Sequence, residues 1–367
     1  MTTAAGPAPR PGILDIAPYV AGEAKVVGIE QPIRLASNES ALGPSAKALA
    51  AYRALAGEIH RYPDGSADEL REALGRHHGL DPARIVCGAG SDELITLLLR
   101  AYAGPGDEVL YSRHGFLMYP INAQTVGATP IAAPERALTT DVDALLDRVT
   151  ERTRIVFIAN PNNPTGTYLG AAEIARLHAG LPPSVVLAID AAYAEFVNRN
   201  DYETGAALVD RADNVVMLRT FSKVYALAGL RLGWAYCPPA IADILNRMRS
   251  PFNVNAPALA AGVAAVEDVA ALVRAQTHNQ RWLAWFSERL TALGIPLTPS
   301  VANFVLARLP DDPRKNADAI FAFLQTRGIL TRKMGAYGLP QYLRITIGTG
   351  EEMERVATAL GEIIASR

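Results

Sequence analysis

Thr220-Phe221-Ser222-Lys223-Val224-Tyr225-Ala226-Leu227-Ala228-Gly229-Leu230-Arg231 is the stretch on which the reading of this chain turns. It follows Asn214 to Leu218, an apolar run that reads as a buried strand. It holds one lysine among small and apolar residues, a hydroxyl on each side of Phe221, and Arg231 eight positions after the lysine. Desolvation disfavours the charged form of a lysine, so an amine in such surroundings loses its proton nearer neutrality. A neutral amine attacks an aldehyde to give a Schiff base. Thr220, Ser222 and Arg231 together suit a dianionic phosphate. Taken alone, the same lysine also suits a strand end facing water, so the rest of the chain has to decide.

Outward from that stretch, strands and helices alternate. Toward the N-terminus, Ser184 to Ile189 is a strand ending on Asp190, with Tyr193 three residues later. Before it, Arg154 to Ala159 is a buried strand running into Asn160-Pro161-Asn162-Asn163-Pro164-Thr165-Gly166, a dense breaker cluster. Glu108 to Tyr111 and Thr129 to Ala132 are further strands, with helices expected over 116–126, 141–149 and 173–179. Arg84 to Cys87 is a short strand entering Gly88-Ala89-Gly90-Ser91-Asp92-Glu93, followed by a helix over 94–102. A glycine loop opening a helix makes an anion site, because backbone N–H groups and the helix dipole point at the ligand. A dinucleotide fingerprint fails here, since Glu93 stands where the third glycine belongs. Toward the C-terminus, Gly233 to Cys237 is one more apolar strand. This order predicts an α/β fold with a mainly parallel sheet covered by helices. Ligands of such sheets bind at the carboxyl ends of strands, and Ser91, Asn163, Asp190 and Lys223 all fall just past strand ends.

The remainder divides around this sheet. Residues 1–12 are expected to be flexible, 13–43 to form an N-terminal arm packing on the small domain, 44–250 the large domain and 251–367 a small α+β domain. Helices are expected over 44–56, with Ser45 as cap, and over 67–78. A single long helix over 258–293 is expected to link the two domains. Strands at 295–297, 303–307, 329–332 and 342–348 and helices at 317–327 and 351–365 complete the small domain.

Composition bounds the function. The 367 residues are half apolar, enough for a large core. The net charge of -2 gives no basic surplus for nucleic acid or an anionic membrane. Cys87 and Cys237 match no metal or redox spacing and read as small buried residues. His77-His78, about 100° apart on a helix, make a poor chelate and read as surface residues, so no metal is expected. No signal-peptide pattern and no run of about 20 apolar residues occurs, and the protein is expected to be soluble and cytoplasmic.

An aldehyde and a phosphate held together describe pyridoxal 5'-phosphate. Its ring draws electrons only while the ring nitrogen stays protonated, and a buried carboxylate such as Asp190 keeps it so. Tyr193 and Asn163 are placed to hydrogen-bond the ring oxygen, which stabilises the phenolate and lowers the imine pKa. Phe116 is placed to stack on the ring. Singly, a helix cap, a turn residue and a core aromatic explain Asp190, Asn163 and Phe116 equally well. Jointly with Lys223 and Arg231 they point to the cofactor.

Asn163-Pro164-Thr165-Gly166, Asp190-x-x-Tyr193 and Ser222-Lys223 with Arg231 resemble the fold-type I, pyridoxal-phosphate-dependent aminotransferases, from about Ile33 to the C-terminus. Within them the chain is similar to the histidinol-phosphate aminotransferases. That likeness lies in Ser37-Asn38-Glu39 with Gly43-Pro44, Arg61-Tyr62-Pro63-Asp64, Gly90-Ser91-Asp92-Glu93, Ala302-Asn303-Phe304-Val305, Arg332 before Met334-Gly335, and Leu343-Arg344-Ile345-Thr346-Ile347-Gly348. The resemblance implies that Lys223 binds the cofactor and moves the substrate proton. It gives Ser91, Asp92 through its backbone, Ser222 and Arg231 the phosphate, with Thr220 assisting. It has Tyr62 reach the phosphate in the neighbouring subunit of a homodimer. Arg344 would take the substrate carboxylate or an equivalent anion, Arg332 the substrate phosphate, and Tyr19 would close over the substrate. The implied reaction passes an amino group from L-histidinol phosphate to 2-oxoglutarate. The chain departs from the family where it reads Asn38-Glu39-Ser40-Ala41 in place of Asn-Glu-Asn-Pro, and Ser112-Arg113-His114-Gly115-Phe116 in place of a Pro-Thr-aromatic pattern. Both departures lie near the substrate. An aromatic amino acid aminotransferase on the same fold, a threonine-phosphate decarboxylase and a cofactor-sensing regulator remain rival readings.

Overall fold

Seven strands form the central sheet of the computed structural model, which describes residues 7–26 and 28–366. The expectation of a flexible 1–12 falls partly outside them. In spatial order the strands are Ile85–Gly88, Gly233–Tyr236, Val215–Thr220, Val186–Asp190, Thr153–Ala159, Glu108–Ser112 and Thr129–Ala133. Neighbours run parallel except at Gly233–Tyr236, which is antiparallel to both of its own. Strand residues alternate between two cores. Ile85, Cys87, Leu110, Val156, Ile158, Leu187, Ile189, Val215, Met217 and Trp234 face one. Val86, Val109, Ile155, Phe157, Val186, Ala188, Val216, Leu218 and Ala235 face the other. A period of two with apolar residues on both sides is what a sheet buried on both faces requires.

A three-stranded antiparallel sheet, Phe304–Arg308, Tyr342–Thr346 and Arg332–Lys333, packs with helices Ala317–Thr326 and Gly350–Ala365 around a separate core. Ile33–Arg34 of the arm pairs in parallel with Ile329–Leu330. Ser45 caps helix Ala46–Ala54 through Ala48 N. In place of the expected strand over 295–297, Leu297 makes only an isolated bridge to Ala307.

Two further expectations are corrected. The long helix over 258–293 is two helices, Ala256–Val266 and Val269–Ala292, bent by 78°. Asp268 causes the break: its carboxylate accepts the Ala271 N–H and starts a new helix. The first helix packs Ala258, Ala261, Ala265 and Val266 into the core of the large sheet. His78 is not a surface residue. Its ring lies 5.3 Å from that of Trp234, and burial pulls its pKa down to about 3. Cys87 and Cys237 are buried and unpaired. Among the described residues, no single helix is long and apolar enough to cross a membrane.

Candidate active site

The carboxyl ends of the central strands and the small antiparallel sheet enclose a cavity of about 480 Å³. Ser91, Asp92, Phe116, Asn163, Asp190, Tyr193, Thr220, Ser222, Lys223 and Arg231 line it from the large sheet's side. Tyr19, Arg332 and Arg344 line it from the other. Tyr62 is not among them. It is 82% exposed, and its ring stacks on that of Phe252 at 4.7 Å.

Lys223 leaves strand Val215–Thr220 within a turn, and its Nζ donates to the Ser37 carbonyl at 3.1 Å. Burial, and after it the Arg344 charge, pulls its pKa down to about 8. Asp190 ends its strand buried, with no cationic partner among the described residues. Its carboxylate accepts from Tyr119 Oη at 2.7 Å and from Ala192 N at 3.2 Å. Burial nevertheless raises its pKa to about 6. A buried carboxylate without a counter-ion is costly, and a cation delivered to it removes that cost.

Elsewhere on the cavity wall, helix Ser91–Tyr102 begins at Gly90 with no side-chain cap among the described residues. Arg231 lies against this helix end, its Nη1 3.3 Å from Ser222 Oγ and its Nη2 3.1 Å from Asp92 Oδ2. Glycine is demanded at Gly90, where φ is 83° and a Cβ would come within 2.5 Å of Arg231 Nη2. It is demanded again at Gly233, where a Cβ would come within 2.4 Å of Ser91 N. Thr220 faces inward, its Oγ1 accepting from Ser222 N at 3.1 Å.

Arg332 and Arg344 are direct cross-strand partners in the small sheet. Like charges so placed repel, and neither has a carboxylate partner among the described residues. Neutral acceptors hold them instead. Arg344 donates to Asn163 Oδ1 and to the Ala36 carbonyl, the latter at 2.6 Å, and its Nε is buried without a partner. Arg332 donates to the Val20 carbonyl, with its guanidinium 5.8 Å from the centre of the Tyr19 ring. Two guanidinium groups from paired strands, neither held by a carboxylate side chain among the described residues, suit a carboxylate or phosphate.

Sequence reasoning missed Tyr119 and assigned no role to Asn38. Tyr119 is fully buried, stacked on Phe157 at 4.7 Å and edge-on to Phe116 at 5.8 Å. Its position three residues after Phe116 was the available signal, although helix Met118–Thr125 starts later than expected.

The family model for Aminotransferase class I and II matches residues 30–360. The chain belongs to the class I and II aminotransferases. The histidinol-phosphate aminotransferase of Rhodospirillum centenum is 63% identical over 97% of this chain and 98% of its own. That of Paramagnetospirillum magneticum is 61% identical over 98% and 99%. Among solved structures, the histidinol-phosphate aminotransferase of Sinorhizobium meliloti in complex with pyridoxal-5'-phosphate superposes with a TM-score of 0.89. It is 29% identical and covers 98% of both chains. The expected fold, a fold-type I arrangement with a mostly parallel central sheet, is that of this aminotransferase family.

Proposed function

We propose that this aminotransferase carries pyridoxal 5'-phosphate and passes the amino group of L-histidinol phosphate to 2-oxoglutarate, giving imidazole acetol phosphate and glutamate in histidine biosynthesis. The observation that carries this reading is the cross-strand pair Arg332 and Arg344, without a carboxylate partner, lining a cavity that also holds a lysine of lowered pKa. Both substrates are anions of different shape, and paired guanidinium groups accept either phosphate or carboxylate.

The donor set fits the cofactor. Lys223 suits its aldehyde, the unpaired Asp190 its ring nitrogen, and the uncapped helix end with Ser91, Asp92 N, Thr220, Ser222 and Arg231 its phosphate. Phe116 suits the ring face, and Asn163 and Tyr193 the ring oxygen. When bound, the group supplies an electron sink for the substrate's Cα–H bond. The protein residues then do the rest. Lys223, as a free amine, would take the proton from the substrate's Cα and later give it up again. Its lowered pKa keeps a usable fraction unprotonated near neutral pH. Asp190 would pair with the ring nitrogen and keep it protonated. Arg344 and Arg332 orient the substrate, and Tyr19 covers it.

The finer organisation belongs to the same proposal. Residues 44–250 serve as the large domain, joined there by helix Ala256–Val266, with the remainder of 251–367 as the small one and 13–43 as the arm. Two subunits form a homodimer, with Tyr62 reaching the neighbouring cofactor phosphate. The exposed Leu42, Leu49, Tyr52, Ile59 and Tyr62, all within one segment, support that interface. A cytoplasmic setting suits two buried, unpaired thiols.

Single-turnover spectroscopy tests the reading. The purified protein should show the cofactor's visible band, absent in Lys223→Ala. Histidinol phosphate should bleach it rapidly, phenylalanine slowly, with the first much weakened in Arg332→Ala. Equal or faster bleaching by phenylalanine would move the function to aromatic amino acids.

A further inference from the structure

Tyr193 offers its hydroxyl to the cavity, and the hydrogen bonds behind it leave that hydroxyl no choice of direction. Asn38 N donates to Thr346 Oγ1 at 3.0 Å, so this oxygen is an acceptor toward the backbone. Thr346 Oγ1 in turn lies 3.1 Å from Asn38 Oδ1, and the only hydrogen it has to give goes there. That orients the Asn38 amide: Oδ1 faces Thr346 and Nδ2 faces Tyr193, to whose oxygen it donates at 2.8 Å. Asn38 is 1% exposed and sits in the left-handed region at φ 56°, with its carbonyl accepting from Asn303 Nδ2 at 3.1 Å. The amide therefore has little freedom to turn. Among the described residues no acceptor takes the Tyr193 proton, which leaves the cavity as its destination.

We infer that Asn38 is a positioning residue that fixes Tyr193 as a donor into the cavity, so that the arm and the small sheet together set the polarity of a hydroxyl on the large sheet. The inference rests on the cofactor reading above and adds to it. An amide donating to the Tyr193 oxygen polarises the O–H and makes it a stronger donor to a phenolate oxygen. A better-stabilised phenolate holds the neighbouring imine proton less tightly. The charged and titratable groups around Tyr193 are Arg344, Tyr337, Asp190 and Lys223, and replacing Asn38 changes none of them directly.

The test is a spectrophotometric pH titration of the visible band in the holoenzyme. Asn38→Gly removes the amide and suits the left-handed backbone. It should raise the midpoint by about half to one pH unit, the effect of one hydrogen bond lost. In a Tyr193→Phe background, where no hydroxyl remains to be aimed, the same substitution should move nothing further. Thr346→Val keeps the volume, frees the amide, and should shift the midpoint in the same direction; it supplies the comparison if the glycine variant does not fold. An unchanged or lowered midpoint overturns the inference, and so does a shift that persists in Tyr193→Phe. Absence of any visible band in the unaltered enzyme is a different result, which removes the cofactor reading and this inference with it.

Discussion

Replacing Asp190 by asparagine should stabilise the cofactor-free protein and weaken its hold on the cofactor, in a way that depends on pH. The carboxyl is buried without a cationic partner, and its pKa stands near 6 against an ordinary 3.8. The folded state therefore favours the protonated form. The contribution of this group to stability is greatest below the unfolded pKa and is lost as pH rises from about 4 to about 6. Roughly two pKa units correspond to about 3 kcal/mol of lost stability at pH 7.5. The asparagine side chain would carry no such charge, although its NH₂ cannot accept the Ala192 N–H as the second carboxylate oxygen does. A net gain of about 1–3 kcal/mol at pH 7.5, shrinking or reversing by pH 4.5, is expected. Urea denaturation of both cofactor-free proteins across that range measures it. Cofactor affinity, followed by fluorescence titration at pH 7.5, should move the opposite way, because the pyridinium loses its counter-charge. A stability difference that does not change with pH, or one that favours aspartate more strongly at pH 7.5 than at 4.5, would refute the reasoning.

Arg344→Lys keeps the charge but loses the fork that reaches Asn163 and Ala36; kcat/KM should fall about 10–100-fold, and a change below threefold would mean the geometry is unimportant. Gly90→Ala forces a Cβ into Arg231 at a positive φ, so cofactor dissociation should rise tenfold or more while the fold survives; equilibrium dialysis giving wild-type affinity would contradict this. Glu195→Ala strands the buried Arg219, to which it is bonded at 2.7 Å, and should cost about 3–5 kcal/mol by urea denaturation. A cost under about 1 kcal/mol would mean that water reaches the guanidinium.

Much of this site could be read without coordinates because a parallel sheet converts sequence position into spatial position. Lys223 and Asn163 follow strands and Asp190 ends one, and strands laid side by side in one direction bring their ends to one rim. The limits of such reading are equally physical. Tyr119 meets Asp190 across 71 residues, and a tyrosine after a helix start looks like any core aromatic. Asn38 matters through a left-handed backbone and three partners on distant segments, none of which leaves a local pattern. The break at Asp268 was hidden because apolar residues flank the Glu267-Asp268 pair on both sides and one capping carboxylate suffices to turn the chain. His78 read as exposed because its neighbour Trp234 lies far along the chain.

The arm restrains both cavity arginines through peptide carbonyls alone, Val20 for Arg332 and Ala36 for Arg344. A carboxylate in either place would act as a resident competitor, to be displaced at every turnover. A carbonyl holds the guanidinium while leaving its full charge for the arriving anion. At Val20, which is exposed, the restraint is also blind to the side chain, whereas Ala36 is buried against Gly22. What it does register is spacing. A single residue inserted or deleted between them pulls one carbonyl out of register with its arginine, so the exposed positions of this segment should tolerate substitution far better than a change of length.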